Sequence, residues 1–421
     1  MDEQIQNMVN DIQEQFQLNN YFLKRYHIFH EKRSLTEGNY ILNMEWFPNQ
    51  PKEQQEDEDL NPKGTVSIDI DFHSKELYRI IFVGGISNPD AKDIFPTTDK
   101  ADVIHWVEET TGLIFGKQFK IESEKGNTFY FRAAIDNINA APGGMIHVEF
   151  NEKDELTLFS IDGLFPTEDK VVWEPFSLLP ENMGNFFKEQ LQLVEVPVEE
   201  DEKWMPVYMI EELYVKNDGE VTLPYDSLNK DIMNIKLEWS APLQGPFNPK
   251  EEMDLSTEVT VDQAVANNPH PDNIPLSDHE KEAAINGARD FLRQKFPEES
   301  GEWLLHSIYR NSGYIVCELK PIQKTTRAFS RKIKVIMDQN TLEVINYIDN
   351  KIILEMFAEY KEANEVSITQ GKAYEKLKNY FKVSPTYVYH RDEDMYYLYG
   401  KIDSKYGVIA TTGEIVHLDN L

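Results

Sequence analysis

The chain has 421 residues, of which 40% are hydrophobic and 12% aromatic, so it is long enough for two or three globular domains and is not intrinsically disordered. Its 74 acidic residues outnumber its 42 basic residues and give a formal net charge of -32. Such a chain repels nucleic-acid phosphate and anionic lipid, because clustered Lys and Arg bind both of these. We therefore expect neither nucleic acid nor a membrane as a partner.

The amino-terminal segment and the cysteine usage predict a cytoplasmic protein. Residues 1–7 have neither the basic nor the apolar region of a secretory signal. The most apolar runs, residues 80–86 and 207–210, are much shorter than the roughly 18 residues that a membrane helix needs. The single cysteine, Cys317, cannot form an internal disulfide, which favours a reducing compartment. It lies in a predicted strand, and we expect a buried structural thiol.

The first predicted unit, residues 1–95, combines an amphipathic helix with strands. Apolar residues at spacings of three and four predict the helix, from Ile5 to Phe16. After it, apolar and polar residues alternate over residues 66–73, and a return strand follows at 77–83. This alternation is typical of an antiparallel sheet with one buried face.

The polar positions of this first hairpin hold a candidate metal site. Asp69, Asp71 and His73 stand two residues apart, so a strand places them on one face, where they could bind a divalent cation. The equivalent positions of the second unit are His147, Glu149 and Asn151. A varied polar face is also what solvent exposure produces, so both interpretations stay open, and we expect no bound metal or cofactor.

The remaining units repeat this plan. In chain order they are a long copy at 96–166, a short copy at 167–240, a proline-rich linker at 241–276, a long copy at 277–360 and a short copy at 361–421. Residues 260–267 predict one short helix inside the linker. Capping boxes predict the helix starts of the last two copies, Ser277 with Glu280 and Ser367 with Gln370.

The two short copies share one hairpin. Residues 213–221 align without a gap with residues 407–415, and both place a Gly-Glu pair just past the tip, at Gly219 and at Gly413. We interpret this pair as turn chemistry and not as a site. The predicted fold class is α+β, a tandem series of modules that each pack one helix on an antiparallel β-sheet.

The last copy is rich in tyrosine. Tyr387 and Tyr389 share one face of a predicted strand, and Tyr397 and Tyr399 share one face of the next. Core packing against the helix is one interpretation. The other is an aromatic sheet surface, or its open edge, that binds a partner peptide by strand addition. These four tyrosines are therefore the candidate partner-binding residues.

The last copy also resembles a known family. Its helix opens with Gln-Gly-Lys-Ala at 370–373, its penultimate strand holds Tyr-Leu-Tyr at 397–399, and its final hairpin closes on Thr-Gly-Glu at 412–414. In these features it resembles the PepSY-like modules of the bacterial YcdB/YcdC repeated-domain family, and the copy at 277–350 looks similar to the other half of that repeat. The resemblance implies a PepSY-like or cystatin-like fold. Because PepSY modules look like parts of metallopeptidase propeptides, it also implies regulation or inhibition of a peptidase.

The chain lacks the motifs of the easily recognised enzymes. It has no His-Glu-x-x-His zinc motif, no glycine-rich phosphate loop followed by Lys-Ser/Thr, and no Gly-x-Ser-x-Gly nucleophile elbow. We predict a non-enzymatic repeat protein that binds another protein or peptide. Two alternatives stay open: an enzyme whose site is assembled between copies from scattered acids and histidines, and a structural or assembly protein. Fold class alone does not decide among them.

Overall fold

The structure is a computed structural model that describes residues 2–32, 39–50, 61–91, 93–224, 230–250 and 252–421. The chain forms two compact units, each built from three stretches of sequence. Unit 1 comprises Met1–Val172, Ser256–Asn273 and Tyr387–Tyr397, and unit 2 comprises Trp173–Leu255, Ile274–Thr386 and Leu398–Leu421. The segment predicted as a linker is thus divided between the two units.

Strands dominate the structure, with short helices between them. The α-helices of the described residues are α1 Glu3–Gln15, α2 Lys100–Thr111, α3 Gly184–Gln190, α4 Val261–Ala266, α5 Asp278–Lys295, α6 Lys351–Glu355 and α7 Gln370–Leu377. None of them is long and apolar enough to cross a membrane. The first strands are β1 Tyr21–Glu31, β2 Asn39–Pro48, β3 Val66–Asp71, β4 Leu77–Phe82, β5 Phe119–Lys125, β6 Thr128–Ile135, β7 Ile138–Ala141, β8 Met145–Phe150 and β9 Leu156–Asp162.

The later strands complete the element order. They are β10 Gln192–Val198, β11 Lys203–Met209, β12 Leu213–Lys216, β13 Thr222–Pro224, β14 Asp231–Leu237, β15 Trp303–Asn311, β16 Tyr314–Pro321, β17 Ile333–Asp338, β18 Val344–Asp349, β19 Lys382–His390, β20 Met395–Asp403, β21 Tyr406–Ile409 and β22 Ile415–His417. The ladders of both units are antiparallel. The predicted α+β class is confirmed.

Helices begin where the sequence supplies a cap. Ser277 and Glu280 form the predicted capping box at the start of α5. The short helix predicted inside the proline-rich segment is α4, and Thr260 caps it. The cap predicted at Ser367 is wrong, because Thr369 caps α7 instead.

A single antiparallel sheet joins the first two long copies in unit 1. Its strands run in the order β1-β2-β3-β4-β9-β8-β6, and β5 lies on the far side of β6. The last strands of the two copies, β4 and β9, pair with Ile80 opposite Phe159. Apolar faces of α1 and α2 are buried in one shared core, in which Ile5 and Val107 are fully buried. The two copies therefore fold as one body.

A bulge at the same place marks the first strand of each long copy. The register shifts between Leu23 and Arg25 in β1, between Ile121 and Ser123 in β5, and between Leu305 and Ser307 in β15. Lys24, Glu122 and His306 are therefore equivalent residues. The first strands of the three predicted long copies therefore share one irregularity.

In unit 2, the strands of the third long copy, β15 to β18, form a five-stranded sheet with β14, in the order β14-β15-β16-β17-β18. Helix α5 covers one face and buries Phe291 together with Trp303 and Cys317. The Cys317 Sγ lies 3.7 Å from the carbonyl oxygen of Ala284. Burial raises the pKa of the Cys317 thiol to about 12. The predicted structural thiol is confirmed.

The two short copies exchange hairpins in unit 2. Strands β10 and β11 of the first short copy share a four-stranded sheet with β21 and β22 of the second. In return, β12 of the first copy pairs with β20 of the second, with Val215 opposite Gly400. Helices α3 and α7 share a core in which the rings of Phe187 and Phe381 are 4.9 Å apart. The sequence predicts two separate short copies, whereas their hairpins interlock in the structure.

The closing hairpins of the short copies keep the predicted turn chemistry. Gly219 and Gly413 have φ values of 83° and 78°, which glycine adopts without steric cost. The preceding residues, Asp218 and Thr412, accept the backbone N–H of the following glutamates at 3.0 Å and 3.2 Å. The Gly-Glu pairs therefore shape turns.

Candidate functional site

The candidate metal ligands Asp69, Asp71 and His73 do not converge in the structure. The Asp71 Oδ1 accepts the backbone N–H of His73 at 2.8 Å and that of Ser74 at 2.7 Å. This pattern fixes the turn that follows β3, since an aspartate often bonds the backbone two residues ahead of it. Asp71 therefore serves the hairpin.

The other two candidate ligands have different partners. The Asp69 Oδ1 accepts a hydrogen bond from Asn43 Nδ2, and its Oδ2 lies 3.3 Å from Arg79 Nε. The His73 Nε2 lies 3.0 Å from the carbonyl oxygen of Ala264 in α4. Within the described part of the chain, no group of three or more His, Cys, Asp or Glu side chains could hold a metal ion. Asp69 and Asp71 are only 8% and 5% exposed, whereas His73 is exposed, so solvent exposure describes one of the three side chains.

The candidate tyrosines lie largely inside the protein. Tyr387, Tyr389 and Tyr399 are 2%, 5% and 0% exposed, and Tyr397 is half-buried. The Tyr389 hydroxyl donates to Asp394 Oδ1 at 2.6 Å within its own hairpin. Because a buried ring offers no surface to a partner, Tyr387, Tyr389 and Tyr399 do not form an aromatic binding surface.

Two histidines of β1 face opposite sides of the sheet, as a spacing of three requires in a strand. The ring of His30 stacks on Tyr40 with 4.0 Å between centroids and lies 4.7 Å from the ring of His270. Burial, with the nearby His270, lowers the pKa of His30 to about 4. His27 Nδ1 instead lies 2.9 Å from Glu258 Oε1. Both histidines serve packing in unit 1.

A surface cavity of about 500 Å³ lies in unit 1 beside Tyr21 and Asn88. The Asn88 Nδ2 donates to the carbonyl oxygen of Phe16 at 3.1 Å. This hydrogen bond holds the segment around Asn88 against the end of α1. Burial raises the pKa of Tyr21, and the charge of Asp90 acts in the same direction. Among the described residues, those that line the cavity include Tyr21 and Lys63 but neither a carboxylate nor a histidine.

The outer edge of β15 is covered by an extended segment of the same chain. Strand β14 pairs antiparallel with this edge, with Ile235 opposite Leu305. It carries an irregularity opposite the bulge of β15, where Asn234 Oδ1 lies 2.9 Å from His306 Nδ1. Under this added strand Leu305 is 0% exposed.

The edge of β1 is filled over a different stretch. The backbone N–H of His30 donates to the carbonyl of Thr257 at 2.7 Å, and the N–H of Val259 donates to the carbonyl of Ile28 at 2.8 Å. Counted from the shared bulge, these contacts lie beyond the stretch that β14 covers on β15. An extended segment at the edge of a long copy therefore recurs in unit 1.

The edge of β5 is open within the described residues. Strand β5 pairs with β6 and with no other described strand. The ladder closes with Lys125 opposite Thr128, so the alternation of an antiparallel pair points the backbone N–H and C=O of Glu124 away from β6. Ile121, the equivalent of Leu305, is only partly buried against the core. At the start of β5, Phe119 is bridged to Phe115, and its carbonyl accepts the Gly116 N–H at 2.8 Å. Beyond Phe119, the position that β14 fills on β15 is available on β5 within the described residues.

Charged side chains flank this open edge. The Glu122 carboxylate lies 3.1 Å from Arg132 Nε, and that of Glu124 lies 3.6 Å from Lys100 Nζ. Bulges and charges on edge strands discourage unselective pairing. A segment that binds here must fit the bulge at Glu122, as β14 fits the bulge at His306.

Comparisons with known proteins add little to this geometry. No family model matches the chain, and no curated protein sequence matches it. Among solved structures, the Bacillus megaterium YpeB C-terminal domain is similar over 83% of this chain and 97% of that chain, at 9% identity and a TM-score of 0.27. A likeness of this size transfers neither fold nor function. The YcdB/YcdC resemblance stays a prediction.

Sequence reasoning finds the copies but misses the open edge of β5. One usable signal is an aromatic residue followed two positions later by an aliphatic one, at Tyr21 and Leu23, at Phe119 and Ile121, and at Trp303 and Leu305. This signal aligns the three first strands. It does not reveal that β14, which lies outside the third long copy in sequence, covers only one of them.

Proposed function

We propose that the protein is a non-enzymatic binding protein of the cytoplasm that accepts an extended segment of another protein as an added strand on β5. The observation that carries the proposal is the β14 strand, which occupies the equivalent edge of β15. Strand addition gives affinity through backbone hydrogen bonds and specificity through alternate side chains.

The third long copy shows what a bound segment would gain. On β15 the added strand places Ile235 opposite Leu305, which becomes fully buried. On β5 the same register would place an apolar side chain opposite Ile121, and covering its exposed part would favour binding by roughly 25 cal/mol for each Å² buried. The partner segment would run antiparallel to β5.

Regulation or inhibition of a peptidase is the form of this binding that the PepSY resemblance implies. In that case the added strand would be a segment of the peptidase. Backbone hydrogen bonds along β5 would bind any segment that is extended. An exposed loop of a peptidase can adopt this conformation.

The proposal is tested with a displayed library of randomised peptides selected on the intact protein. We expect selected peptides to bind and to slow amide hydrogen exchange in residues 119–125. Glu124→Pro should abolish binding, because proline removes the outward N–H, and an edge strand tolerates proline at such a position. Glu124→Gln is the matched control, which loses the charge but keeps the N–H.

Two results would contradict the proposal. One is a selection that yields no peptide with measurable affinity. The other is a set of peptides that bind wild type and Glu124→Pro equally well. If Glu124→Pro does not fold, as judged by circular dichroism, Ile121→Lys serves as the second variant and should weaken binding by removing the apolar contact.

A further inference from the structure

Unit 2 exposes a group of large apolar side chains at the end of the third long copy. Ile348 of β18 is 58% exposed, and Ile352 and Met356, in and just after α6, are 74% and 72% exposed. The polar residues of α6 pair with each other, since Lys351 Nζ lies 3.6 Å from Glu355 Oε1. Adjacent exposed side chains of this size often mark an interaction surface.

This apolar group flanks a sheet edge with which no further described strand pairs. Strand β18 is the last strand of the five-stranded sheet. Its equivalents in the other long copies are β4 and β9. Each is the last strand of its copy and has a register shift near its start. In unit 1 those two strands pair with each other. The described residues contain no fourth long copy that pairs with the third.

The pairing in unit 1 is nearly twofold symmetric. Ile80 lies opposite Phe159, and these two residues are equivalent when the register shifts are superposed. The same superposition makes Tyr347 the third member of the set. An antiparallel pair of two β18 strands centred on Tyr347 would therefore reproduce a contact that the fold already uses.

We propose that β18 pairs antiparallel with β18 of a second copy of this chain and forms a homodimer. Identical strands paired in this way are self-complementary, so the interface is closed and twofold. In this register Ile348 of one protomer lies opposite Asn346 of its partner, as Ile81 lies opposite Leu158 in unit 1. The side chains of α6 extend the apolar contact beside the ladder.

Three local contacts occupy this edge in the single chain, one of which joins Asn346 Nδ2 to the Lys250 carbonyl oxygen at 3.1 Å. The Tyr347 N–H donates to Asn346 Oδ1 at 2.8 Å, and the Lys250 N–H donates to the carbonyl of Ile345 at 2.8 Å. Asn346 must rotate away for the dimer ladder to form. Its equivalent in β9 is Leu158, which has no polar group to compete for the backbone. Asn346 therefore weakens the dimer without preventing it.

The net charge of -32 on each chain opposes association. At 0.1 M ionic strength, salt largely screens the repulsion between charges that are more than about 10 Å apart. Dimerisation should therefore become stronger as salt is added, which is the opposite of what an ion-paired interface shows.

Sedimentation equilibrium of the full chain between about 1 and 200 µM tests the dimer. We expect a monomer–dimer equilibrium that shifts towards the dimer with salt. Ile348→Lys should weaken it by at least about tenfold, and Asn346→Leu should strengthen it. Ile114→Lys is the matched control, because Ile114 is 49% exposed in unit 1 and the change of charge is the same.

Two outcomes would overturn the proposal. The first is that wild type and Asn346→Leu both sediment as monomers over the whole concentration range. The second is a dimer on which Ile348→Lys and Ile114→Lys have the same effect, which would place Ile348 outside the interface. Circular dichroism of each variant confirms that the comparison is made between folded proteins.

Discussion

Leu305 and Ile121 occupy the same place beside a strand bulge, yet Leu305 is completely buried and Ile121 is only partly buried. The difference comes from β14, which lies against Leu305 and has no counterpart beside Ile121 in the described residues. The pair thus compares a filled and an unfilled edge in one molecule.

Substitution of these two residues by alanine should cost different amounts of stability. Leu305→Ala should lower the free energy of unfolding by about 2–5 kcal/mol, because it leaves a cavity in a closed core. Ile121→Ala should cost about 1 kcal/mol, because part of this side chain is already in water. Urea unfolding of both variants measures the difference. Equal costs would show that β14 does not close the core around Leu305.

Thr369, rather than Ser367, should control the start of α7. Thr369→Ala removes the acceptor for the backbone N–H of Lys372 and should cost about 1 kcal/mol. Thr369→Ser keeps a hydroxyl in the capping position and should leave stability nearly unchanged. Thermal unfolding of the two variants checks this expectation, and an equal loss in both would place the helix start elsewhere.

Gly413 should be intolerant of a side chain because of its backbone conformation. Its φ of 78° suits glycine, so Gly413→Ala should cost about 1–2 kcal/mol. Gly371→Ala is the control: a Cβ added there meets no atom within 4 Å, and alanine favours the helix. Denaturant unfolding should therefore show loss for the first variant and none for the second.

The buried imidazole of His30 should make the protein less stable in mild acid. Its pKa is about 4 in the folded protein and about 6.5 when exposed, so the unfolded chain takes up the proton first as the pH falls. The stabilisation is fully present above pH 6.5, and it is lost as the pH falls from 6.5 to about 4. Tyr40 and His270 pack against the ring, and Lys32 and Asp272 lie near His270, whose pKa is also lowered by burial.

His30→Phe should flatten the stability profile between these pH values, because phenylalanine can stack on Tyr40 but cannot titrate. His105→Phe is the control, since the His105 side chain is 70% exposed. Free energies of unfolding at several pH values between 7 and 4 make the comparison. An unchanged slope in His30→Phe would show that another group causes the loss.

Local patterns predict much of this fold. Ile5 and the apolar residues after it define α1 correctly, and the capping box at Ser277 and Glu280 marks the start of α5. Such features depend on neighbours in sequence, which periodicity and capping describe. The same reasoning identifies the hairpin turns at Gly219 and Gly413.

Interactions between copies are harder to predict, because equivalent hairpins offer equivalent partners. The alternation of apolar and polar residues in β21 does not show whether this strand pairs with β20 or with β11. In the structure it pairs with β11. Burial on both faces is another case. Spacing correctly places Tyr387 and Tyr389 on one face, but Val388 between them is also buried, so alternation gives no warning that the tyrosines are inaccessible.

The hairpin exchange between the short copies sets an order in time during synthesis. Strand β11 leaves the ribosome about two hundred residues before β21, its partner through Val207 and Ile409. At the usual elongation rate of roughly 5–20 residues per second, β11 waits ten seconds or more for that neighbour. A chain truncated before Tyr406 would keep β11 but lose the strand that completes its sheet. The final residues therefore act as the closing step for a sheet begun near the middle of the chain.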